Sequence, residues 1–146
     1  MNIKLGCIQI ASWKFGQRIW PIYNDGYGDD FVKDRIKYKQ DDVVLKPGDY
    51  ILVIDYPVTV FYTTPLTVEA SGLTRGGLVQ FICRHYKKMY KEEDSGSKIK
   101  AGNIPGMYNR NETNGKYGIY GHDIGDLVLC SAEVSKKNVI TLGVDS

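Results

Sequence analysis

The sequence predicts a single α+β domain in which a mainly antiparallel sheet packs against one main helix. Three observations support this prediction: one segment with helical periodicity at about 74–93, several short β-type runs separated by turn residues, and a length of 146 residues, the usual size of one domain. No internal repeat or linker is evident in 1–146, so we expect no domain boundary.

Short runs of β-branched, aromatic and other apolar residues predict the strands. The first predicted strand is Ile3–Ile10. The second, Tyr50–Asp55, follows a turn-forming Lys-Pro-Gly-Asp segment. Residues 58–70 stay extended around Pro65, which is tolerated at the start of a strand. Leu127–Val134 and Val139–Val144 alternate around a four-residue connection, which predicts a C-terminal β-hairpin.

The helix is predicted from the segment that follows Thr74, whose side chain suits an N-cap. Its apolar residues recur at steps of three and four, so we expect one face to pack on the sheet. That face comprises Leu78, Phe81, Ile82, His85, Tyr86 and Met89. Lys87, Lys88 and Lys91 fall mostly off it and should be exposed or only partly covered.

Two other segments are rich in Gly, Asn, Ser and charged residues. Residues 94–113 predict a long loop, a type that is often functional in a compact domain. Residues 21–30 also predict a loop, and 31–38 are ambiguous. The segment 21–30 contains Asp25, Asp29 and Asp30. It lacks the twelve-residue spacing and closing glutamate of an EF-hand, which favours a solvated turn over a cation site.

Bulk properties narrow the function. The net charge of +2 does not indicate nucleic acid as the default partner. The three cysteines, Cys7, Cys83 and Cys130, are far apart and form no CxxC, so we expect reduced thiols, with Cys7 and Cys130 as small core residues in an intracellular protein. The N-terminus does not resemble a signal peptide, and no apolar run is long enough to span a membrane.

Three stretches of the C-terminal half carry a family resemblance: LTRGGLVQFICRHYKKMYKEE at 73–93, IPGMYNRNETNGKYGIYGHDIGDLVL at 104–129 and ITLGVDS at 140–146. Together they resemble a family of small proteins encoded by giant (nucleocytoplasmic large) DNA viruses. The resemblance implies an intracellular viral protein, in the host cytoplasm or packaged in the virion. The family carries no established activity, so no functional residue is transferred from it.

The most reactive polar cluster in the sequence surrounds His122. With Asp123 and Asp126 it could supply a general base or, with Asp126 and His85, a metal ligand set, as in a small hydrolase or metal-dependent enzyme. The more ordinary interpretation is that His122 and Asp123 shape a turn into the following strand, while His85 is half-buried on the helix. No phosphate-binding glycine motif is present, and we expect no cofactor.

The remaining candidates are binding residues. Cations on the helix and residues of the long loop could contact a partner; these are Arg84, Lys87, Lys88, Lys91, Tyr108 and Arg110. A nucleic-acid-binding module would add Lys98 and Lys100, but Glu92, Glu93 and Asp94 cancel much of the positive field.

The preferred hypothesis is therefore a non-enzymatic interaction or structural protein. Its eleven tyrosines are consistent with a protein partner, since tyrosine is enriched at interfaces. The partner's identity is not specified by the sequence, and a homo-oligomer is left open.

Overall fold

The computed structural model describes residues 1–13, 40–100, 102–103 and 110–146, with the backbone alone at 102–103 and 110–111. The predictions for 21–30 and 31–38, and the candidate residue Tyr108, lie outside these ranges. The elements in chain order are strands β1 (Asn2–Gln9), β2 (Val43–Leu45), β3 (Gly48–Ile54), β4 (Tyr62–Val68) and β5 (Leu73–Thr74), helix α1 (Arg75–Gly96), and strands β6 (Gly102–Asn103), β7 (Arg110–Asn111), β8 (Val128–Val134) and β9 (Val139–Asp145). Short 3-10 turns occur at Ile10–Ser12 and Ile124–Asp126.

The main sheet has five strands in the order β1-β8-β9-β3-β4. All neighbouring pairs are antiparallel except β3 and β9, which run parallel. Strands β8 and β9 form the predicted C-terminal hairpin, and the helix shares one hydrophobic core with the sheet, so the α+β prediction is confirmed. Two further pairs, β2 with β5 and β6 with β7, are short antiparallel ladders outside this sheet.

Strand β1 keeps its apolar residues inside by means of a bulge. Leu5 and Ile8 are both fully buried although they are three residues apart, and a regular strand would turn one of them to the opposite face. The register with β8 shifts between Lys4 and Ile8, where Gly6 and Cys7 have positive φ values of 82° and 52°. In this interval three residues of β1 lie opposite a single residue of β8, and the irregularity returns Ile8 to the core.

Helix α1 begins as predicted. Thr74 is its N-cap, and the Thr74 hydroxyl accepts a hydrogen bond from the Gly77 amide at 3.1 Å. The helix ends at Gly96, three residues later than the predicted boundary at 93. Its buried residues are Leu78, Val79, Ile82, Cys83, Tyr86, Met89, Tyr90 and Glu93.

The buried face of α1 is rotated relative to the predicted one. Ile82 and Met89 are fully buried, as expected, but Phe81 is only partly buried, so that prediction was wrong. Phe81 and His85 lie at the margin of the buried face, with their rings 4.4 Å apart. The predicted face included Phe81 and His85, whereas the helix buries Val79 and Cys83.

The predicted long loop at 94–113 contains more structure than expected in its described part. Residues 94–96 belong to α1. Further along, Gly102 pairs with Asn111 and Asn103 with Arg110 in a short antiparallel ladder. Within the described ranges, no helix is both long enough and apolar enough to cross a membrane.

Candidate partner-binding surface

Strand β4 forms one edge of the main sheet, with no further strand paired to its outer side among the described residues. The Ile51 amide donates to the Asn138 carbonyl at 3.0 Å, toward β9. Ile51 is paired with Pro65, so the polar backbone atoms of Pro65 face the open edge. Because proline has no N–H, the outward-facing donors of β4 lie on either side of it, at Thr63 and Thr67.

A cleft of about 330 Å³ lies where β4 begins, between that strand and the exposed side of α1. It is lined by Phe61, Tyr62, Thr63, Thr64, Lys88, Glu92, Lys116 and Tyr117. The strand, the helix and the turn at 115–118 each contribute to it, so the cleft exists only in the folded chain.

Two lysines and one carboxylate give the cleft its charge. The Lys88 ammonium lies 3.9 Å from a carboxylate oxygen of Glu92, and the Lys116 ammonium lies 5.4 Å from the centre of the Tyr117 ring. The Tyr117 hydroxyl donates to Glu92 at 2.5 Å. The lining residues therefore carry two ammonium groups and one carboxylate, which is shared between Lys88 and Tyr117, so the cleft has an excess of positive charge.

Tyr62, one of the residues that line the cleft, is hydrogen-bonded to His85 of α1. The Tyr62 hydroxyl lies 2.7 Å from Nδ1 of His85. Burial, together with the nearby Arg84 and Lys88, lowers the pKa of His85, while burial and Glu92 raise the pKa of Tyr62. A neutral imidazole and a protonated phenol follow, so the Tyr62 hydroxyl donates to Nδ1 and the second ring nitrogen of His85 carries its hydrogen.

The remaining tyrosine of the cleft is also held protonated. Burial and the hydrogen bond to Glu92 raise the pKa of Tyr117. The hydroxyls of Tyr62 and Tyr117 therefore act as hydrogen-bond donors to groups of the protein itself. These interactions favour a rigid binding surface over a set of proton-transfer groups.

Phe61 is the exposed apolar side chain among the residues that line the cleft, and it is 58% exposed. Val60, the preceding residue, is 55% exposed, and Tyr120 is 41% exposed. The backbone of these last two residues is fixed, because the amide of Val60 donates to the Tyr117 carbonyl at 2.9 Å and the amide of Tyr120 donates to the Pro57 carbonyl at 2.9 Å. Large apolar side chains that are exposed and held in place by the backbone are typical of interaction surfaces.

Glu93, which sequence reasoning placed among solvated charges, is fully buried and organises the turn beside the cleft. Its carboxylate accepts hydrogen bonds from the Thr113 hydroxyl and from the amides of Gly115, Tyr117 and Gly118. Burial alone would raise the pKa of Glu93, but these four hydrogen bonds outweigh it and lower the pKa. A signal was available, since Glu93 continues the buried helical spacing of Tyr86 and Tyr90.

Glycine is required opposite this carboxylate. A Cβ atom at position 115 would clash with the carboxylate of Glu93, which its four hydrogen bonds hold in place. The absence of a side chain at Gly115 thus allows the turn to close over the buried charge.

The predicted basic residues of α1 differ in their surroundings. Lys88 lines the cleft. The Lys87 ammonium donates to the Trp13 carbonyl and lies 5.7 Å from the centre of the Trp13 ring. Arg84 and Lys91 are exposed, with the Arg84 guanidinium 5.7 Å from the centre of the Phe81 ring. The side chain of Arg110 and the whole of Tyr108 lie outside the described part of the chain.

The alternative enzymatic residues are not assembled into a metal site. Nδ1 of His122 lies 3.6 Å from a carboxylate oxygen of Asp126, and Asp123 is exposed. His85 is instead hydrogen-bonded to the Tyr62 hydroxyl. Among the described residues, no group of three or more histidine, cysteine, aspartate or glutamate side chains could hold a metal ion. The His122 carbonyl accepts a hydrogen bond from the Tyr90 hydroxyl at 2.9 Å, which anchors this turn to α1.

The fold and the cleft define a single α+β domain with an open sheet edge beside a cationic cleft. Comparison of the chain with protein-family models, with curated proteins and with solved structures found no match in any of the three.

Proposed function

We propose that the protein is a non-enzymatic interaction protein that binds an extended, acidic segment of a partner protein at the start of β4. The observation that supports this proposal is the convergence of the outward-facing Thr63 backbone, the exposed Phe61 ring and the Lys88 and Lys116 ammonium groups around one cleft.

The binding mode would be strand addition. An extended peptide can pair with the outward N–H and C=O groups of an edge strand, while alternate side chains enter neighbouring pockets. The backbone of Thr63 can form these hydrogen bonds, but Pro65, two residues further along β4, has no N–H to donate. The docked segment is therefore short, and most of its affinity comes from side chains and charge.

The side chains of the cleft suggest the composition of that segment. Phe61 offers an apolar contact, and Lys88 and Lys116 attract carboxylates. Because both lysines are exposed to solvent, their contribution should be modest and should weaken with salt. A segment that alternates acidic and β-branched apolar residues fits these requirements.

The cellular setting belongs to the same proposal. The resemblance of the C-terminal half to proteins of giant DNA viruses suggests an interaction or structural protein that acts in the host cytoplasm or within the virion. The partner would then be a viral or host protein.

A titration followed by NMR tests the binding surface. A six-residue peptide alternating glutamate and valine should shift the amide resonances of Phe61, Thr63, Lys88 and Lys116, and a peptide alternating lysine and valine should not. The double variant Lys88→Ala/Lys116→Ala should lose most of the response. The matched control is Lys136→Ala/Lys137→Ala, which removes two exposed lysines from the β8–β9 turn.

Three results would overturn the proposal. Equal responses to the acidic and basic peptides would remove the role of charge. Shifts confined to other surfaces would remove the role of the cleft. Tighter binding of a DNA or RNA oligonucleotide to the same lysines, with a steep loss of affinity as salt rises, would favour the nucleic-acid alternative.

A further inference from the structure

Two cysteines that are far apart in the sequence meet on the main sheet. Cys7 belongs to β1 and Cys130 to β8, and their sulfur atoms lie 2.8 Å apart although 123 positions separate them in the chain. The sequence predicted that both would be small core residues. That prediction was wrong, because both are intermediate in exposure whereas Cys83 is buried.

Irregularities in the strands bring the two side chains together. Cys7 occupies the bulge of β1, with a positive φ of 52°. Cys130 lies where the register of β8 with β9 shifts, between Leu129 and Ser131. The neighbouring pairs Lys4–Ser131 and Ile8–Leu129 make Cys7 and Cys130 cross-strand neighbours. Without these irregularities the pairing of β1 with β8 would be shifted, and residue 7 would lie opposite a different residue of β8.

We propose that Cys7 and Cys130 form a redox-sensitive pair, which closes to an intramolecular disulfide when the protein meets a small-molecule disulfide such as oxidised glutathione. The two sulfur atoms, 2.8 Å apart, must approach by less than about 1 Å to reach the disulfide bond length of about 2.05 Å. Closure therefore needs no large movement of the backbone, which the pairing of β1 with β8 already holds in place.

The exchange proceeds in two steps. The Cys7 thiolate attacks one sulfur of the small disulfide; a Cys7–S bond forms, the S–S bond of the oxidant breaks, and one small thiolate leaves. The Cys130 thiolate then attacks the Cys7 sulfur and displaces the second small thiolate. The two cysteines are oxidised by two electrons, the small disulfide is reduced to two thiols, and the protons released by the cysteines are taken up by these thiols.

The surroundings of the sulfurs assign the order of attack. A carboxylate oxygen of Asp145 lies 3.8 Å from the Cys130 sulfur. Burial, the hydrogen bond to Cys7 and this carboxylate all raise the pKa of Cys130, and the negative charge beside its sulfur disfavours a thiolate at this position. Cys130 therefore acts as the resolving cysteine, attacking only after Cys7 holds the mixed disulfide.

The closed bond would link the edge strand β1 covalently to the neighbouring strand β8. It would enclose almost the entire chain between its two cysteines, and a covalent loop of that length strongly restricts the unfolded state. We therefore expect a more stable protein in oxidising surroundings and a less stable one where thiols are kept reduced.

The test uses the full chain, treated with oxidised or reduced glutathione and then alkylated and analysed by mass spectrometry. In the oxidised wild type, a peptide pair linking Cys7 to Cys130 should appear, and Cys83 should be found alkylated because it stays a free thiol. The melting temperature should rise by about 5–15 °C. Cys83→Ser should behave like the wild type. Cys7→Ser should lose both the linked peptides and the thermal shift.

Mixed glutathione adducts should accumulate on Cys7 in Cys130→Ser, because the resolving thiol is missing. Three findings would overturn the proposal: alkylation of both cysteines after oxidation, disulfides that link two chains instead of one, or a Cys7–Cys130 bond that leaves the melting temperature unchanged. If a variant fails to fold, peptide mapping of the oxidised wild type still decides between these results.

Discussion

The hydroxyl of Thr113 donates a hydrogen bond to the buried carboxylate of Glu93, 20 residues earlier in the chain. The same hydroxyl accepts a hydrogen bond from the Ile119 amide at 2.7 Å. Glu93 is thereby tied to both ends of the turn that carries Lys116 and Tyr117 into the cleft. The shape of the proposed binding surface therefore depends on a residue that does not line it.

Replacing Glu93 with glutamine should destabilise the protein by about 3 kcal/mol or more at pH 7. The amide would offer one oxygen and an NH₂ group to donors that now share two carboxylate oxygens, which leaves buried N–H groups unpaired. Urea denaturation measures the change. The control Asp94→Asn alters the next, exposed residue and should stay within about 0.5 kcal/mol of wild type.

The stabilisation from Glu93 should also depend on pH. Its pKa is lower in the folded state than the ordinary value of 4.5, so the carboxylate stabilises the fold fully above that value. This contribution is lost as the pH falls from 4.5 through the lower folded pKa. The stability difference between wild type and Glu93→Gln should therefore narrow in acid, and a difference that stays constant down to pH 3 would contradict this assignment.

The helix face can be tested with two neighbouring residues. Ile82→Ala should cost about 2–5 kcal/mol, because Ile82 is fully buried in the core. Phe81→Ala should cost only about 1–2 kcal/mol, since the Phe81 ring is already partly solvated. Denaturant midpoints of the two variants give the comparison, and a larger loss for Phe81→Ala would mean that the helix is rotated relative to the structure.

The lysines of α1 should differ from one another in their effect on stability. Lys87→Ala should cost about 1–2 kcal/mol, because Lys87 donates to the Trp13 carbonyl and lies near its ring. Lys88→Ala should change stability by less than about 0.5 kcal/mol, since its ion pair with Glu92 is exposed. Thermal melts of the two variants test this, and equal melting temperatures would show that the contact of Lys87 with Trp13 contributes nothing.

His85 should titrate below the ordinary histidine pKa of 6.5, because burial and the nearby Arg84 and Lys88 disfavour its charged form. Since the folded pKa is the lower one, the neutral ring favours the fold above pH 6.5, and this contribution declines as the pH falls toward the folded pKa. NMR titration of the imidazole protons measures the midpoint, with His85→Gln assigning the resonance. A midpoint at or above 6.5 would refute the buried, neutral Tyr62–His85 pair.

Local patterns account for the elements that were predicted correctly. The N-cap at Thr74 and the three- and four-residue apolar spacing fixed the start and type of α1, and alternation around a four-residue turn identified the β8–β9 hairpin. These signals depend on residues within a few positions of one another. They left the exact rotation of α1 undetermined, because the apolar spacing in the sequence allows either Phe81 or Cys83 to face the core.

The sequence of this protein by itself determined an α+β domain with one long helix and a C-terminal hairpin, because hydrophobic periodicity and turn residues act over short distances. Only the tertiary structure decided that Glu93 is a buried anchor, that Lys88 and Lys116 share a cleft, and that Cys7 meets Cys130. Each of these relationships joins segments far apart in the chain. They arise from the order of strands in the sheet, the β1 bulge and the packing of α1, which bring distant side chains into contact without a fixed spacing in the sequence.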